Sequence, residues 1–287
     1  MAPAQPVVQL FSNPRAGRRR AGRVAALARA FEAEGARVLP GVSADGPPQV
    51  APEATHVCVA AGDGTVRHVA SAVLSGGRDL RMSIYPAGTI NLLAREAGYP
   101  RSPREFARFV LSDGPPRLHF PVAMGDGHFF ACAGVGPDSF AVATVSPRLK
   151  RLVGRFAYVA AFARLLARWP RHRIVLVANG RRLHCEAFYL AKGRYYAGRW
   201  SFARDARVGD PALHVVALRR ARRRDYLRFV AAILAHRDPA ELDNVEAFAC
   251  SSLRAESRQP LPLQADGDIV GELPVTMTLG ETPLLFW

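Results

Sequence analysis

Nowhere in the 287 residues is there an apolar run of about 18 residues, the length a helix needs to cross a bilayer. The N-terminus also lacks the apolar stretch of a signal peptide, so a cytoplasmic protein is expected. Cysteine is scarce: Cys58, Cys132, Cys185 and Cys250 lie far apart among apolar neighbours, with no Cys-x-x-Cys pair. That spacing argues against a zinc site or disulfide framework and for buried reduced thiols. Acidic residues are few, 24 against 39 basic ones, which leaves a formal net charge of +15 at pH 7. Lysine is nearly missing from the excess. Arginine carries it, concentrated in Arg18-Arg19-Arg20 and between Arg219 and Arg224. Such a balance favours polyanions, whether nucleic acid, anionic headgroups or nucleotide phosphates. Zinc-finger spacing, a recognition-helix pattern and the aromatic-basic motif of single-strand binders are all missing, so no nucleic acid partner is expected.

What is present points to phosphate. Val57-Cys58-Val59-Ala60-Ala61 is a buried-type strand that runs into Gly62-Asp63-Gly64-Thr65. Gly62 and Gly64 can take positive φ and let a polyanion approach the backbone. Thr65 opens a segment whose Val66, Val69, Ala70, Val73 and Leu74 have helical spacing, and amides at such a helix start face phosphates. A carboxylate beside phosphate repels it unless a cation or a proton intervenes. Asp63 therefore points to metal-assisted phosphoryl chemistry.

Residues 1 to about 118 alternate strand and helix, which predicts a parallel sheet covered on both faces. Strands are expected at Val7 to Phe11, Arg37 to Leu39, His56 to Ala60 and Arg81 to Tyr85, with one helix ending at Gly35. Ser102-Pro103-Arg104-Glu105 reads as a capping box with proline at the first helical position. Loops that follow parallel strands share the ligand-binding edge of the sheet. After Pro115-Pro116 the pattern becomes strands and turns: Leu118 to Met124, Phe129 to Val135, Ile174 to Ala178, Ala187 to Ala191, Leu213 to Leu218, Val245 to Cys250 and Val275 to Leu279. Asn179-Gly180 is a hairpin turn. Helices are expected at Pro147 to Trp169 and Arg223 to His236.

Four signatures then stand in order: Asn13-Pro14-Arg15-Ala16-Gly17, Gly62-Asp63-Gly64-Thr65, Pro86 to Arg95 (PAGTINLLAR) and Ala265-Asp266-Gly267-Asp268. With Gly134 to Asp138 and Arg194 to Gly198, they make the chain resemble the diacylglycerol kinase catalytic family, the soluble bacterial type similar to sphingosine and ceramide kinases. The resemblance implies an α/β nucleotide-binding domain over residues 1–118, with residues 280–287 returning to it. It also implies a β-sandwich-like lipid-substrate domain over 119–279 and an active site in the cleft between them. The implied reaction moves the γ-phosphoryl group of ATP, with Mg²⁺, to the hydroxyl of a membrane lipid alcohol such as diacylglycerol, ceramide or a sphingoid base.

By the same resemblance Asn13, Pro14, Arg15, Ala16 and Gly17, then Ala61, Gly62, Asp63, Gly64, Thr65, Val66 and Arg67, and finally Thr89 take the nucleotide. Asp268 stands where the family's Asp-Gly-Glu carries its general base, one methylene shorter, and Asp266 is the substitute candidate. Asp210, with the carbonyls of Arg207 and Ala212, matches a loop that holds a structural Mg²⁺ in the family. Here Pro211 replaces a glycine and His214 an acidic residue, and the ligand count is thin for a hard cation. Ala61, Arg67, His68 and Leu92 also depart from the family pattern. Arg67 is placed to contact phosphate directly, and His68 is expected to be partly buried and structural. A nucleotide-binding regulatory protein with weak or no kinase activity, or a soluble-substrate kinase of the NAD kinase type, is the alternative. Lys150, Arg151, Arg155, Arg164 and Arg168 interleave with Leu152, Phe156, Tyr158, Phe162, Leu165 and Trp169, a pattern for an anionic membrane surface or for a core-packed helix. Peripheral association with the inner face of the membrane is expected, and a homodimer is left open.

Overall fold

The computed structural model describes residues 5–12, 18–43, 46–88, 90–144, 169 and 171–287. The chain forms two compact units, Met1–His119 with Thr282–Trp287, and Phe120–Glu281.

The first unit contains β1 (Val7–Ser12), α1 (Arg18–Ala33), β2 (Arg37–Val42), β3 (His56–Ala60), α2 (Asp63–Ser75), β4 (Arg81–Ile84), α3 (Leu92–Ala97), α4 (Pro103–Leu111), β5 (Arg117–His119) and, from the far end of the chain, β18 (Leu284–Phe286). Their sheet has the order β2-β1-β3-β4-β18-β5. Every pairing is parallel except β18 with β5. All five residues of β3 are buried, as a central parallel strand covered on both faces requires. Val66, Val69, Ala70 and Val73 form the buried face of α2. Phe106 of α4 meets Phe31 and Tyr85 edge-on, at ring-centroid distances of 6.2 and 5.2 Å. Ser102 takes the N-cap position ahead of Pro103, but its side chain makes no capping bond, so the expected capping box does not close. The four cysteines are buried and none forms a disulfide, and burial pushes the Cys58 thiol up to about 12.

His56 gives this unit a pH dependence. Burial, and then the positive charge of Arg81, lower its imidazole from 6.5 to about 4, and its Nδ1 lies 2.8 Å from Thr55 Oγ1. The folded state therefore favours neutral His56. This contribution is complete above pH 6.5 and is lost as pH falls toward 4, on the order of 3 kcal/mol in all. Urea unfolding of His56→Gln between pH 7.5 and 4.5 is expected to show a flatter acid slope than the parent, and equal slopes would remove His56 from the acid response.

The second unit has two antiparallel six-stranded sheets, β10-β9-β14-β17-β6-β7 and β13-β12-β11-β8-β15-β16. The strands are β6 (Val122–Met124), β7 (Gly127–Phe129), β8 (Cys132–Val135), β9 (Ile174–Ala178), β10 (Arg181–Cys185), β11 (Ala187–Ala191), β12 (Leu213–Leu218), β13 (Val245–Cys250), β14 (Ser252–Ser257), β15 (Pro262–Ala265), β16 (Asp268–Glu272) and β17 (Val275–Leu279). Helices α5 (Pro137–Thr144) and α6 (Arg223–Leu234) accompany them. Leu176, Leu253 and Met277 of one sheet and Val135, Leu190, Val215 and Leu263 of the other share one apolar core, which makes the unit a sandwich.

Two expected strands are each divided in two. Leu118 to Met124 breaks at Phe120-Pro121, where proline offers no N–H; β5 stays in the first unit and β6 joins the second. Phe129 to Val135 breaks at Phe130-Ala131, and β7 and β8 enter different sheets. The helix expected from Pro147 lies, apart from Trp169, outside the described residues.

Candidate active site

In the first unit, the loops after β3 and β4 touch through their backbones. A Cβ on Gly88 would stand 2.4 Å from Gly62 Cα and 2.6 Å from Asn91 Oδ1. Asn91 closes the second loop on itself: its Oδ1 accepts from the Gly88 amide at 2.7 Å and its Nδ2 donates to the Gly88 carbonyl at 2.9 Å. Asn91 has φ +55, a conformation asparagine tolerates. Arg23 of α1 donates to the Pro86 carbonyl at 3.2 Å. The expected positive φ at Gly62 is not found. Its φ is −92 and ψ 172, in extended backbone, while Gly64 lies inside α2. The close approach of the two loops requires glycine at position 88, where a Cβ would meet Gly62 Cα at 2.4 Å.

Helix α2 begins at Asp63, two residues before the expected start at Thr65. Its first backbone bond runs from Val66 N–H to Gly62 C=O at 3.1 Å, so the amides of Asp63, Gly64 and Thr65 precede the helical ladder. Asp63 is partly exposed in the helix's first turn, where the helix dipole stabilises a carboxylate, and its Oδ1 accepts from the Leu93 amide at 3.4 Å. It thus links the two loops. Val66 is fully buried, and its amide is taken by the Gly62 carbonyl. Arg67 is partly buried and His68 is exposed, so the expectation of a partly buried His68 fails. Asn13, Pro14, Arg15, Ala16, Gly17 and Thr89 lie outside the described residues.

In the second unit, Ala265 pairs with Asp268, leaving Asp266 and Gly267 as a two-residue turn. Their φ values of +49 and +89 suit a type I′ hairpin. The turn treats its two carboxylates differently. Asp266 is 5 % exposed; its Oδ2 accepts from the Phe130 amide at 2.9 Å, and its Oδ1 from Ala131 and Cys132 at 2.8 and 3.2 Å. These are the residues at which the expected strand breaks. Asp266 is therefore an anchor of the turn, with both carboxylate oxygens engaged by backbone amides. Asp268 is partly exposed at the start of β16.

Of the ligands expected for a metal, the Asp210 carboxylate and the carbonyls of Arg207 and Ala212, the Arg207 carbonyl is taken by a lysine. A side-chain cation is already there: Lys192 Nζ donates to the carbonyls of Asp210, Val208 and Arg207 at 2.6, 2.8 and 3.2 Å. Among the described residues no cluster of three His, Cys, Asp or Glu could hold a metal ion.

The segments Gly134 to Asp138 and Arg194 to Gly198, far apart in sequence, meet in this unit. Tyr196 donates to Asp138 Oδ2 at 2.9 Å and Tyr189 to Oδ1 at 3.0 Å. The Tyr189 and Tyr226 hydroxyls lie 3.2 Å apart. Burial raises the Asp138 carboxyl above its ordinary range against the pull of both phenols. Lys192, Tyr189 and Tyr226 were not singled out in the sequence, and Asn91 and Tyr196, although inside matched segments, were given no role as polar anchors.

Comparison with known proteins agrees with both units. Residues 7–118 match the family model described as diacylglycerol kinase catalytic domain. Residues 131–284 match the one described as YegS C-terminal NAD kinase beta sandwich-like domain. A Pseudomonas aeruginosa protein named "probable lipid kinase YegS-like" is 34% identical over 168 residues, 55% of this chain and 52% of the relative; the match thus spans about half that relative's length. A Bacillus subtilis diacylglycerol kinase is 22% identical over 223 residues, 76% of this chain and 72% of the relative. A crystal structure of a Bacillus anthracis diacylglycerol kinase shares the fold with a TM-score of 0.76 at 17% identity, over 98% of this chain and 96% of that one. The chain belongs to the family that joins a diacylglycerol kinase catalytic domain to a YegS C-terminal NAD kinase beta sandwich-like domain.

Proposed function

We propose that this protein transfers the γ-phosphoryl group of ATP to the hydroxyl of a membrane lipid alcohol, diacylglycerol or a ceramide or sphingoid base, with Asp268 as the proton acceptor. The observation that carries the reading is the unequal treatment of the two carboxylates in one hairpin turn. Asp266 is consumed in holding the turn, and Asp268 is left partly exposed at its exit. In the reaction the lipid oxygen bonds to the γ-phosphorus as its proton passes to Asp268, and the bond to the β-phosphate oxygen breaks to release ADP. The first-turn amides of α2 and the basic side chain of Arg67 supply donors for phosphate oxygens. Bound Mg²⁺ would neutralise charge on those oxygens, and Asp63 is the carboxylate of this loop that could meet it. The test is transfer of radiolabelled γ-phosphate to a panel of lipid alcohols in mixed micelles, with Mg²⁺ supplied or chelated. Labelling of no lipid, with NAD labelled instead, would replace the acceptor.

A substrate held in the bilayer requires the enzyme to reach the surface. No helix among the described residues is long and apolar enough to cross a membrane, whereas the net charge of +15 favours an anionic leaflet at about 1 kcal/mol per surface arginine. We expect co-sedimentation with liposomes containing phosphatidylglycerol, little with purely zwitterionic ones, and loss of binding as salt shortens the screening length. Neutralising Arg151, Arg155 and Arg164 is expected to weaken binding more than neutralising Arg18, Arg19 and Arg20, since only the first group is interleaved in sequence with Phe156, Tyr158 and Leu165. Equal binding to neutral and anionic liposomes would refute the electrostatic part.

A further inference from the structure

We propose that the ammonium of Lys192 is the resident cation of the Arg207 to Asp210 loop, standing in for a structural divalent ion, and that it steadies the turn bearing Asp268. Only two of the 39 basic residues are lysines, and this one is 0 % exposed. Burying an ammonium is costly unless dipoles replace its water. Here three backbone carbonyls do so, at 2.6, 2.8 and 3.2 Å from Nζ, matching the three donors of an ammonium. The Phe120 ring adds a face 6.0 Å away. Mg²⁺ binds oxygens at about 2.1 Å with near-octahedral demands; a cage filled by Nζ at hydrogen-bond distance leaves it neither room nor charge balance. Arginine does not substitute, because its planar fork is larger than a point-like ammonium, which explains a lysine at this position in a chain otherwise built with arginine.

The same residue reaches the turn through its backbone. The amides of Lys192 and Gly193 donate to the Ala131 carbonyl at 2.8 and 3.2 Å, and the Ala131 amide donates to Asp266 Oδ1 at 2.8 Å. One line of hydrogen-bonded groups thus runs from the carbonyl cage to Asp266, two residues before Asp268. Lys192 is a positioning residue that contacts the line rather than the reacting atoms.

The readouts need neither nucleotide nor lipid, so they stand or fall separately from the kinase reading. Thermal unfolding of the parent protein is expected to be the same in millimolar Mg²⁺ and in chelator. A loss of more than about 3 °C on chelation, outside the ordinary scatter of such shifts, would show a held metal and overturn the proposal. Protein labelled with ¹⁵N-lysine is expected to show one slowly exchanging ammonium resonance, absent from Lys192→Met; two rapidly exchanging ammonium groups would also overturn it. Lys192→Met is expected to lower the melting temperature by about 10 °C and Lys192→Arg not to restore it. In the methionine variant, amide exchange at Phe130, Ala131 and Cys132 should accelerate more than at the β9-β10 hairpin. Uniform acceleration would remove the positioning role. If neither variant folds, the chelation and resonance measurements on the parent still decide the identity of the cation.

Discussion

Asp268→Asn is expected to lower phosphoryl transfer by roughly a thousandfold while leaving the melting temperature within about 1 °C of the parent, and Asp266→Asn to do damage of the opposite kind. Removing a general base costs on the order of 10² to 10⁴ in rate, and Asp268 is partly exposed, so loss of its charge costs the fold far less than at buried Asp266. Asp266 is buried and accepts three amides. Asparagine tolerates the φ of +49 found there, so the exchange isolates the hydrogen bonds from backbone strain. It turns one oxygen into an NH₂ group that faces an amide donor. A buried N–H loses its acceptor and the charge is lost, at about 2 to 4 kcal/mol, which lowers melting by about 5 to 12 °C for a unit of this size. Micelle assays and calorimetry on the two variants check both halves. Near-normal turnover in Asp268→Asn would end its assignment as the base; an unchanged melting temperature in Asp266→Asn would end the anchor argument.

The contrast between these two aspartates marks the boundary of what could be read in advance. An Asp-Gly-Asp triplet signals a turn and a pair of carboxylates, but the exposure of each depends on the Phe130 to Cys132 amides, some 135 residues away in the chain, which local patterning does not report. Regular elements were legible where they repeat. The β3 strand, the apolar face of α2 and the Asn179-Gly180 hairpin follow from period and turn chemistry. The unbroken strands expected at Leu118 to Met124 and Phe129 to Val135 failed because apolar residues continue across a point where the backbone changes sheet. The edge strand β16 and the interior strand β18 were hidden for another reason: β16 is largely exposed and β18, between β4 and β5, is three residues long, so neither carries a clear alternation. Lys192 was missed because a lone lysine between a strand and a glycine reads as solvated. Only its three carbonyl partners, contributed by a loop 15 to 18 residues later, reveal a buried cation.

The glycines of the first unit supply the remaining large effect, because Gly62 and Gly88 are not equivalent despite their contact. Gly62→Ala should leave the fold intact, since its φ of −92 and ψ of 172 are open to any residue and its new Cβ would lie 3.4 Å from Gly88 Cα, an ordinary contact. Gly88→Ala has no such room. Its Cβ would stand 2.4 Å from Gly62 Cα, 3.1 Å from Gly62 N and 2.6 Å from Asn91 Oδ1, so either the two loops separate or Asn91 loses its bonds to Gly88. Overpacking against backbone costs about 1 to 3 kcal/mol, and melting should fall by roughly 3 to 10 °C. Separating the loops also moves the first turn of α2, whose amides the proposed function assigns to phosphate, so ATP affinity should fall at least tenfold, about 1.4 kcal/mol. Calorimetric titration with Mg·ATP and thermal unfolding distinguish the outcomes. Gly62→Ala is expected to lose ATP affinity without losing stability, and Gly88→Ala to lose both. If Gly62→Ala binds ATP as the parent does, the phosphates do not approach this loop; if Gly88→Ala melts with the parent, the loops do not meet as closely as their backbones indicate.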